Sequence, residues 1–382
     1  MKLAIVGAGL LACGIVAALT GILPPEMIGS IFDRVWPILL FVIAITVVAE
    51  LAATAGLFDV IASFLGRISR GRTWTLWLLV VAMAVVSTAF LSLDTTAVLL
   101  TPVVVGVARA NGLPPLPFAL ATVWLANTAS LALPVSNLTN LLAEHRLDSP
   151  GPLAFIQLMG WSALIAIVVT VAILALVSRR SLAGHFEPAP PPAIADRGLL
   201  IFSACVVGIL LPLLVSGIPP WMPASVAAVV LIAVFLWRAP RTVRPSLLPW
   251  QLVVFASGLF LTVGALQSLG ADAVIAAIAG HGDDLVSLWR LAGTALVGAN
   301  AIDNLPAYLA LENVANSPAR LGALLVGVNA GSLITPWASL ATLLWHQRLE
   351  AVGVTISWGR YALLGLCAAP VIVFLAVIPL AF

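Results

Sequence analysis

ANTASLALPVSNLTNLL, residues 126–142, lies inside a long apolar run yet carries Asn127, Thr128, Ser130, Ser136, Asn137, Thr139 and Asn140 around Pro134. VNAGSLITPWASLATLL, residues 328–344, repeats the layout. Asn329, Ser332, Leu333, Pro336, Leu340, Leu343 and Leu344 fall 202 positions after Asn127, Ser130, Leu131, Pro134, Leu138, Leu141 and Leu142. Proline removes a backbone donor and clashes with the preceding turn, so a helix breaks there. A break inside lipid survives only where it is buried in protein or lines a watery cavity. Two matched breaks therefore point to a site, with the free N–H groups of the half-helices turned toward a polar solute.

Lipid is the expected solvent. The chain has 382 residues, 62% hydrophobic and 8% charged, where a soluble domain carries about 25% charged residues. Apolar runs long enough to span a bilayer recur from end to end. The net charge of +2 comes from basic residues standing singly at the ends of those runs, which gives no nucleic-acid surface. MKLAIVGAGLLACGIVAALTGIL reads as an uncleaved first helix, because its apolar run is too long for a signal peptide. Cys13, Cys205 and Cys367 lie in three different apolar segments without metal or redox spacing, and are expected to be small buried hydrophobes.

Five stretches follow along the chain. They are a first transmembrane helix and loop (1–34), a first repeat (35–180), a Pro-rich cytoplasmic linker (181–197), connecting helices (198–248) and a second repeat with a final helix (249–382). With Lys2 in the cytoplasm, two re-entrant segments bring most of the basic residues to the same side, as the positive-inside rule expects, and leave Arg34, Arg146, Arg290 and Arg320 outside. The re-entrant segments are 74–108, with its tip near LSLDTTA, and 289–311, with its tip at GANAIDNLPA. VWPILLFVIAITVVAELAATAGLFDVIA (35–62) aligns with PWQLVVFASGLFLTVGALQSLGADAVIA (249–276) at a shift of 214, and Asp94 is paired with Asp303 at 209. The copies run in opposite directions, as in secondary transporters built from inverted repeats. The expected fold is an all-α polytopic membrane protein with two inverted repeats, each holding a re-entrant helical hairpin and a broken transmembrane helix.

Buried carboxylates in a membrane protein are costly and tend to be functional. Asp94, Asp303 and Glu50 are the candidate proton-coupling residues; for Glu50, a structural pairing stands as an equal alternative. Thr95, Thr96, Asn127, Thr128, Ser130, Ser136, Asn137, Asn300, Asn304, Asn329, Ser332, Thr335 and Ser339 are the candidate substrate ligands. Polar glue between helices is the competing role for these amides and hydroxyls. The four histidines fall in loops or at helix ends, no metal ligand set forms, and no phosphate-binding GxxxxGK[ST] is present. No cofactor is expected, and an intramembrane enzyme would lack its nucleophile and base. The twelve tryptophans are expected near segment ends, as interface anchors.

TASLALPVSNLTN (128–140), PWQLVVFASGLFL (249–261), ITPWASLATLLW (334–345) and TISWGRY (355–361) resemble the arsenite permeases of the ion-transporter superfamily, which also holds sodium/proton antiporters and dicarboxylate carriers. The resemblance runs from about residue 35 onward. It implies elevator-like alternating access in a prokaryotic plasma membrane. It also implies efflux of trivalent arsenic or antimony hydroxides in exchange for protons, alone or with a soluble ATPase, and a homodimer is compatible with it. The departures are specific. The family hairpin reads closer to ANDGAALILTP where this chain has SLDTTAVLLTP. The family break carries Asp where Asn127 stands, and the second hairpin reads MNNMP where this chain has IDNLP. A carboxylate has moved from the first break to the second hairpin. A sodium- or proton-coupled carrier of another small anion, or a sodium/proton antiporter, is the alternative on the same fold.

Overall fold

The computed structural model describes residues 2–147, 151–190 and 193–382, so residues 191–192 of the linker lie outside the described residues. Among the described residues there is no strand, and eight helices are long and apolar enough to cross a membrane. The chain is a multi-pass membrane protein.

The chain opens with α1 (Lys2–Leu19) and the 30-residue α2 (Pro25–Thr54). A short α3 (Leu57–Ile68) follows. α4 (Thr73–Leu91) then runs inward, and α5 (Leu93–Thr95), a π turn (Thr96–Leu100) and α6 (Thr101–Ala110) return. This is the first hairpin. α7 (Leu116–Thr128) leads into the break, α8 (Leu138–Glu144) leaves it, and α9 (Pro152–Leu182) closes the repeat. α10 (Arg197–Leu213) crosses between the copies. After it come α11 (Trp221–Arg238), α12 (Trp250–Ser268), α13 (Ala271–Ala279), the hairpin α14 (Leu285–Ile302) with α15 (Asn304–Leu311), the broken pair α16 (Pro318–Leu325) and α17 (Leu340–Ala351), and α18 (Trp358–Val377).

Backbone geometry confirms the repeat. Gly56 and Gly270, 214 positions apart, both sit in the left-handed region, at φ 87° and 85°, where the chain turns from the long helix into the short one. Only glycine adopts this conformation without steric cost. The hairpin tips correct the pairing of carboxylates. Ser92 (φ 87°, ψ 159°) and Asp303 (φ 107°, ψ 155°) share one strained conformation, and each caps the returning leg of its hairpin. The counterpart of Asp303 is therefore Ser92, and Asp94 lies two residues further down its leg.

The first helices exchange partners. α1 packs against α12, and α11 packs against α2. A Cβ on Gly258 would overlap the α1 backbone at Gly7 and Leu11, so this crossing requires glycine. Arg34, Arg146, Glu312 and Arg320 lie at one face. The opposite face gathers the Arg67–Arg72 loop, Arg109, Arg348 and the linker. The Thr73 amide donates to Gly184 O (3.1 Å), Phe186 N to Gly71 O (2.8 Å) and Ala189 N to Asn111 Oδ1 (2.9 Å), so the linker is fastened to the base of the first hairpin.

Two expectations change. The three cysteines are exposed on their helices rather than buried, because lipid accepts an apolar side chain that water would expel. Not every tryptophan is an anchor. Trp77, Trp124 and Trp345 are fully buried, and the Trp77 and Trp345 indoles donate to Pro117 O (3.2 Å) and Ala119 O (2.9 Å).

Candidate functional site

Both breaks reach the centre of the molecule and touch there. Between Thr128 and Leu138 the chain passes through two short 3-10 turns, so its carbonyls need other partners. Asn140 Nδ2 donates to Ser130 O (2.6 Å) and Leu133 O (3.0 Å), and the single Ser136 O–H is shared between the same two carbonyls, 2.6 Å from Ser130 O. In the second break Asn300, on the inward-running leg of its hairpin, takes this role. Its Nδ2 donates to Gly331 O (2.8 Å), and its Oδ1 accepts from the amides of Ile334 (3.1 Å) and Thr335 (2.9 Å). Thr335 Oγ1 donates to Asn300 O (2.8 Å).

Asparagines also stitch the two breaks together. Asn329 Oδ1 accepts from Asn137 Nδ2 (2.9 Å) and Thr139 Oγ1 (3.0 Å), and Asn329 Nδ2 donates to Asn140 Oδ1 (2.9 Å). All four side chains are buried. This accounts for the repeated amides of the opening stretch: Asn140 takes up carbonyls freed at the first break, and Asn137, Asn140 and Asn329 join the two breaks to each other.

A smaller set faces a central cavity of about 50 Å³. Its polar lining is Ser92, Asp94, Asn137, Asp303, Asn304 and Ser339, and its apolar wall includes Leu39, Phe41 and Val42 of α2 and Leu252 and Phe255 of α12. Among the described residues, no Arg, Lys or His lines it. Asp303 Oδ1 accepts from Leu305 N (3.1 Å), and the carboxylate also reaches the backbone N–H of Leu340 at the start of α17. Asn137 Oδ1 accepts from Thr139 N (3.3 Å) and so caps α8. Ser339, its counterpart at the start of α17, makes no cap bond. Its buried hydroxyl has no partner among the described residues.

The expected ligands thus separate. Asp94, Asn137, Asp303, Asn304 and Ser339 come together around the cavity. Thr95 and Glu50 line an adjoining vestibule of about 380 Å³ with Arg348, Trp250 and Gln251, and Asp94, Val42 and Leu252 are common to both spaces. The remaining expected ligands are absent from these linings. Thr96 Oγ1 donates to Ser87 Oγ (2.9 Å), Thr128 Oγ1 to Trp124 O (3.0 Å), Ser130 Oγ to Asn127 O (2.6 Å) and Ser332 Oγ to Val328 O. Asn127 Nδ2 donates to Val123 O (3.0 Å), while its buried Oδ1 is without a hydrogen bond. Ser136, Asn300, Asn329 and Thr335 hold the breaks.

Sequence reading missed two features. Ser92 stands at the first tip, but a serine in an apolar run carries no distinguishing signal. Glu312 accepts from both Nη atoms of Arg34 (3.0 and 2.6 Å), across 278 positions, with Arg146 at 3.7 Å. An acidic residue just past an apolar run was the available clue.

Known proteins share this architecture. The citrate transporter family model, CitMHS, matches residues 2–320. The arsenical pump membrane proteins of Escherichia coli strain K12 and of Yersinia enterocolitica are each 30% identical to this chain, over 96% and 97% of its length and 91% of theirs. Among solved structures, the YdaH transporter of Alcanivorax borkumensis, whose topology is described as unusual, has the same fold. Its TM-score is 0.60 over 94% of this chain and 89% of that one, at 16% identity. The inverted repeats, the paired breaks and these matches together establish that the chain belongs to the CitMHS family of membrane transporters, in the ion-transporter superfamily, with the arsenical pump membrane proteins among its relatives.

Proposed function

We propose that this chain exports arsenite or antimonite, as trivalent hydroxides, in exchange for protons by alternating access across a prokaryotic plasma membrane, with its N-terminus in the cytoplasm. The observation that carries this reading is the cavity lining. Two carboxylates, two amides and two hydroxyls face one small space without a cationic side chain. An anion would meet Asp94 and Asp303 in a medium of low dielectric, where like charges repel strongly. A tricarboxylate such as citrate is therefore disfavoured by charge. A neutral trihydroxide escapes that repulsion, and its O–H groups can donate to the carboxylates while its oxygens accept from Asn137, Asn304 and Ser339. The names of the arsenical pump relatives support the same cargo.

Asp94 and Asp303 are the proposed proton carriers. The experiment is arsenite uptake into everted membrane vesicles holding the protein, with and without an imposed pH gradient. Accumulation that follows the gradient is the expected result. No arsenite movement in vesicles that contain folded protein would overturn the cargo. A second reading, sodium/proton antiport, is favoured by the same pair of carboxylates in a cavity that no Arg, Lys or His lines among the described residues. It predicts sodium movement in the same vesicles.

A further inference from the structure

We infer that α2 carries one half of each of two ion-pair latches, one at each mouth of the central cavity, and that the latches engage in alternation. The inference rests on the alternating-access part of the proposed function and not on the cargo.

α2 forms a wall along the whole route. Pro37, Ile38 and Phe41 line an outer cavity of about 320 Å³ with Leu141, Glu144, His145 and Trp221. Leu39, Phe41 and Val42 line the centre, and Val42, Thr46 and Glu50 line the vestibule. Phe41 and Leu141 line both the centre and the outer cavity. Arg34 and Glu50 flank this wall, about 24 Å apart along α2 at 1.5 Å per residue.

The outer latch is closed. Arg34 grips Glu312 through both guanidinium nitrogens, and Glu312 has only 6% of its side chain exposed. Arg34 Nη2 also donates to Leu142 O (3.4 Å) on α8. The other titratable and charged groups around this mouth are Asp33, Glu144, His145, Arg146 and Tyr308. Burial and the Arg34 guanidinium hold the His145 imidazole below its ordinary value, so it adds no positive charge at neutral pH. The vestibule latch is open. Glu50 and Arg348 line the same 380 Å³ space, with Asp94 at its inner end, and no ion pair joins them.

The inverted repeat ties the two mouths together. Arg146 and Arg348 differ by 202 positions, the shift that matches Asn127 with Asn329. Each lies at the far end of an outgoing half-helix, Arg146 just past α8 and Arg348 in the last turn of α17. One meets Glu312 at the outer mouth, and the other faces Glu50 at the vestibule. Breaking a buried ion pair without replacement leaves an uncompensated charge. Exchanging one pair for the other keeps the two states close in free energy, which a carrier cycling between them requires.

The test uses thiol labelling of the whole protein in membranes, on a cysteine-free background, with an impermeant reagent applied from each side. Thr46→Cys reports the vestibule and Leu141→Cys reports the outer mouth. The parent should label at Thr46→Cys from the linker face and resist labelling at Leu141→Cys. Glu312→Gln should raise Leu141→Cys labelling by roughly tenfold and lower Thr46→Cys labelling, the signature of a population shift. Arg348→Gln should act in the opposite sense, and the charge exchange Glu50→Arg with Arg348→Glu should restore the parent pattern. Unchanged labelling at both reporters in both single variants, in protein that remains folded by thermal unfolding, would overturn the latches. Should Glu312→Gln fail to fold, Glu312→Asp, with its shorter reach, replaces it under the same criterion. Labelling that shifts as expected without arsenite transport would sustain the latches and defeat only the cargo.

Discussion

Asn329 uses both ends of its amide on the opposite break, accepting from Asn137 and Thr139 and donating to Asn140. We therefore propose that it holds the site, and the following variant separates that role from the expected one as a ligand. Asn329→Ala would strand three buried polar groups at about 1–3 kcal/mol each. The expected outcome is a Tm lowered by many degrees in detergent, whether or not ligand is present. An unchanged Tm with weakened binding would instead make Asn329 a ligand. Asp303→Asn should behave differently. An asparagine oxygen still caps Leu305, so the tip keeps its shape, while the titratable group is gone. Uptake driven by a pH gradient should then fall to roughly background in folded protein, and the same holds for Asp94→Asn. Normal gradient-driven uptake in both variants would remove these two residues as proton carriers. Reading Asn329 and Asn300 as ligands from sequence was reasonable, since an amide beside a break serves either role. Only the directions of their hydrogen bonds separate the two.

At the scale of elements, the hairpins and breaks were legible because their signals are local. Basic residues on both flanks of 74–108 marked a segment that returns to its own side, and the structure turns it at Ser92. The tip conformation was not legible, so the carboxylates were paired two positions out of register. Close helix crossings were equally hidden. A Cβ at Gly327 would overlap the Ala292 carbonyl oxygen of α14, and one at Gly365 would overlap the Leu333 carbonyl oxygen in the second break. Overpacking of this kind costs about 1–3 kcal/mol or more. Gly327→Ala and Gly365→Ala should each lower the Tm and the yield of folded protein. Gly293→Ala, on α14 with open space around it, should leave the Tm unchanged or raise it slightly. Equal Tm values for all three variants would show that these crossings tolerate a methyl group.

At the scale of the molecule, the proposed function makes charge in the central cavity the selector of the cargo. Excess citrate should fail to compete with arsenite uptake, despite the family model's description. Competition by citrate at comparable concentration would mean that the cavity opens and recruits a cation, Arg348 being the nearest in the vestibule. Hydropathy, the partition of arginines and the 202-position repeat were readable along the chain, because each depends only on residue type and spacing. They sufficed for lipid, inverted repeats, hairpins and breaks. Folding decided which polar residues face the cavity and which mend the backbone. It also decided that Arg34 finds Glu312, that Asn137 finds Asn329, and that each first helix packs on the other repeat. The physical reason is that a buried polar group must be satisfied by whatever partner the packing brings to it. In this chain those partners come from the opposite half, hundreds of positions away, where no local pattern records them.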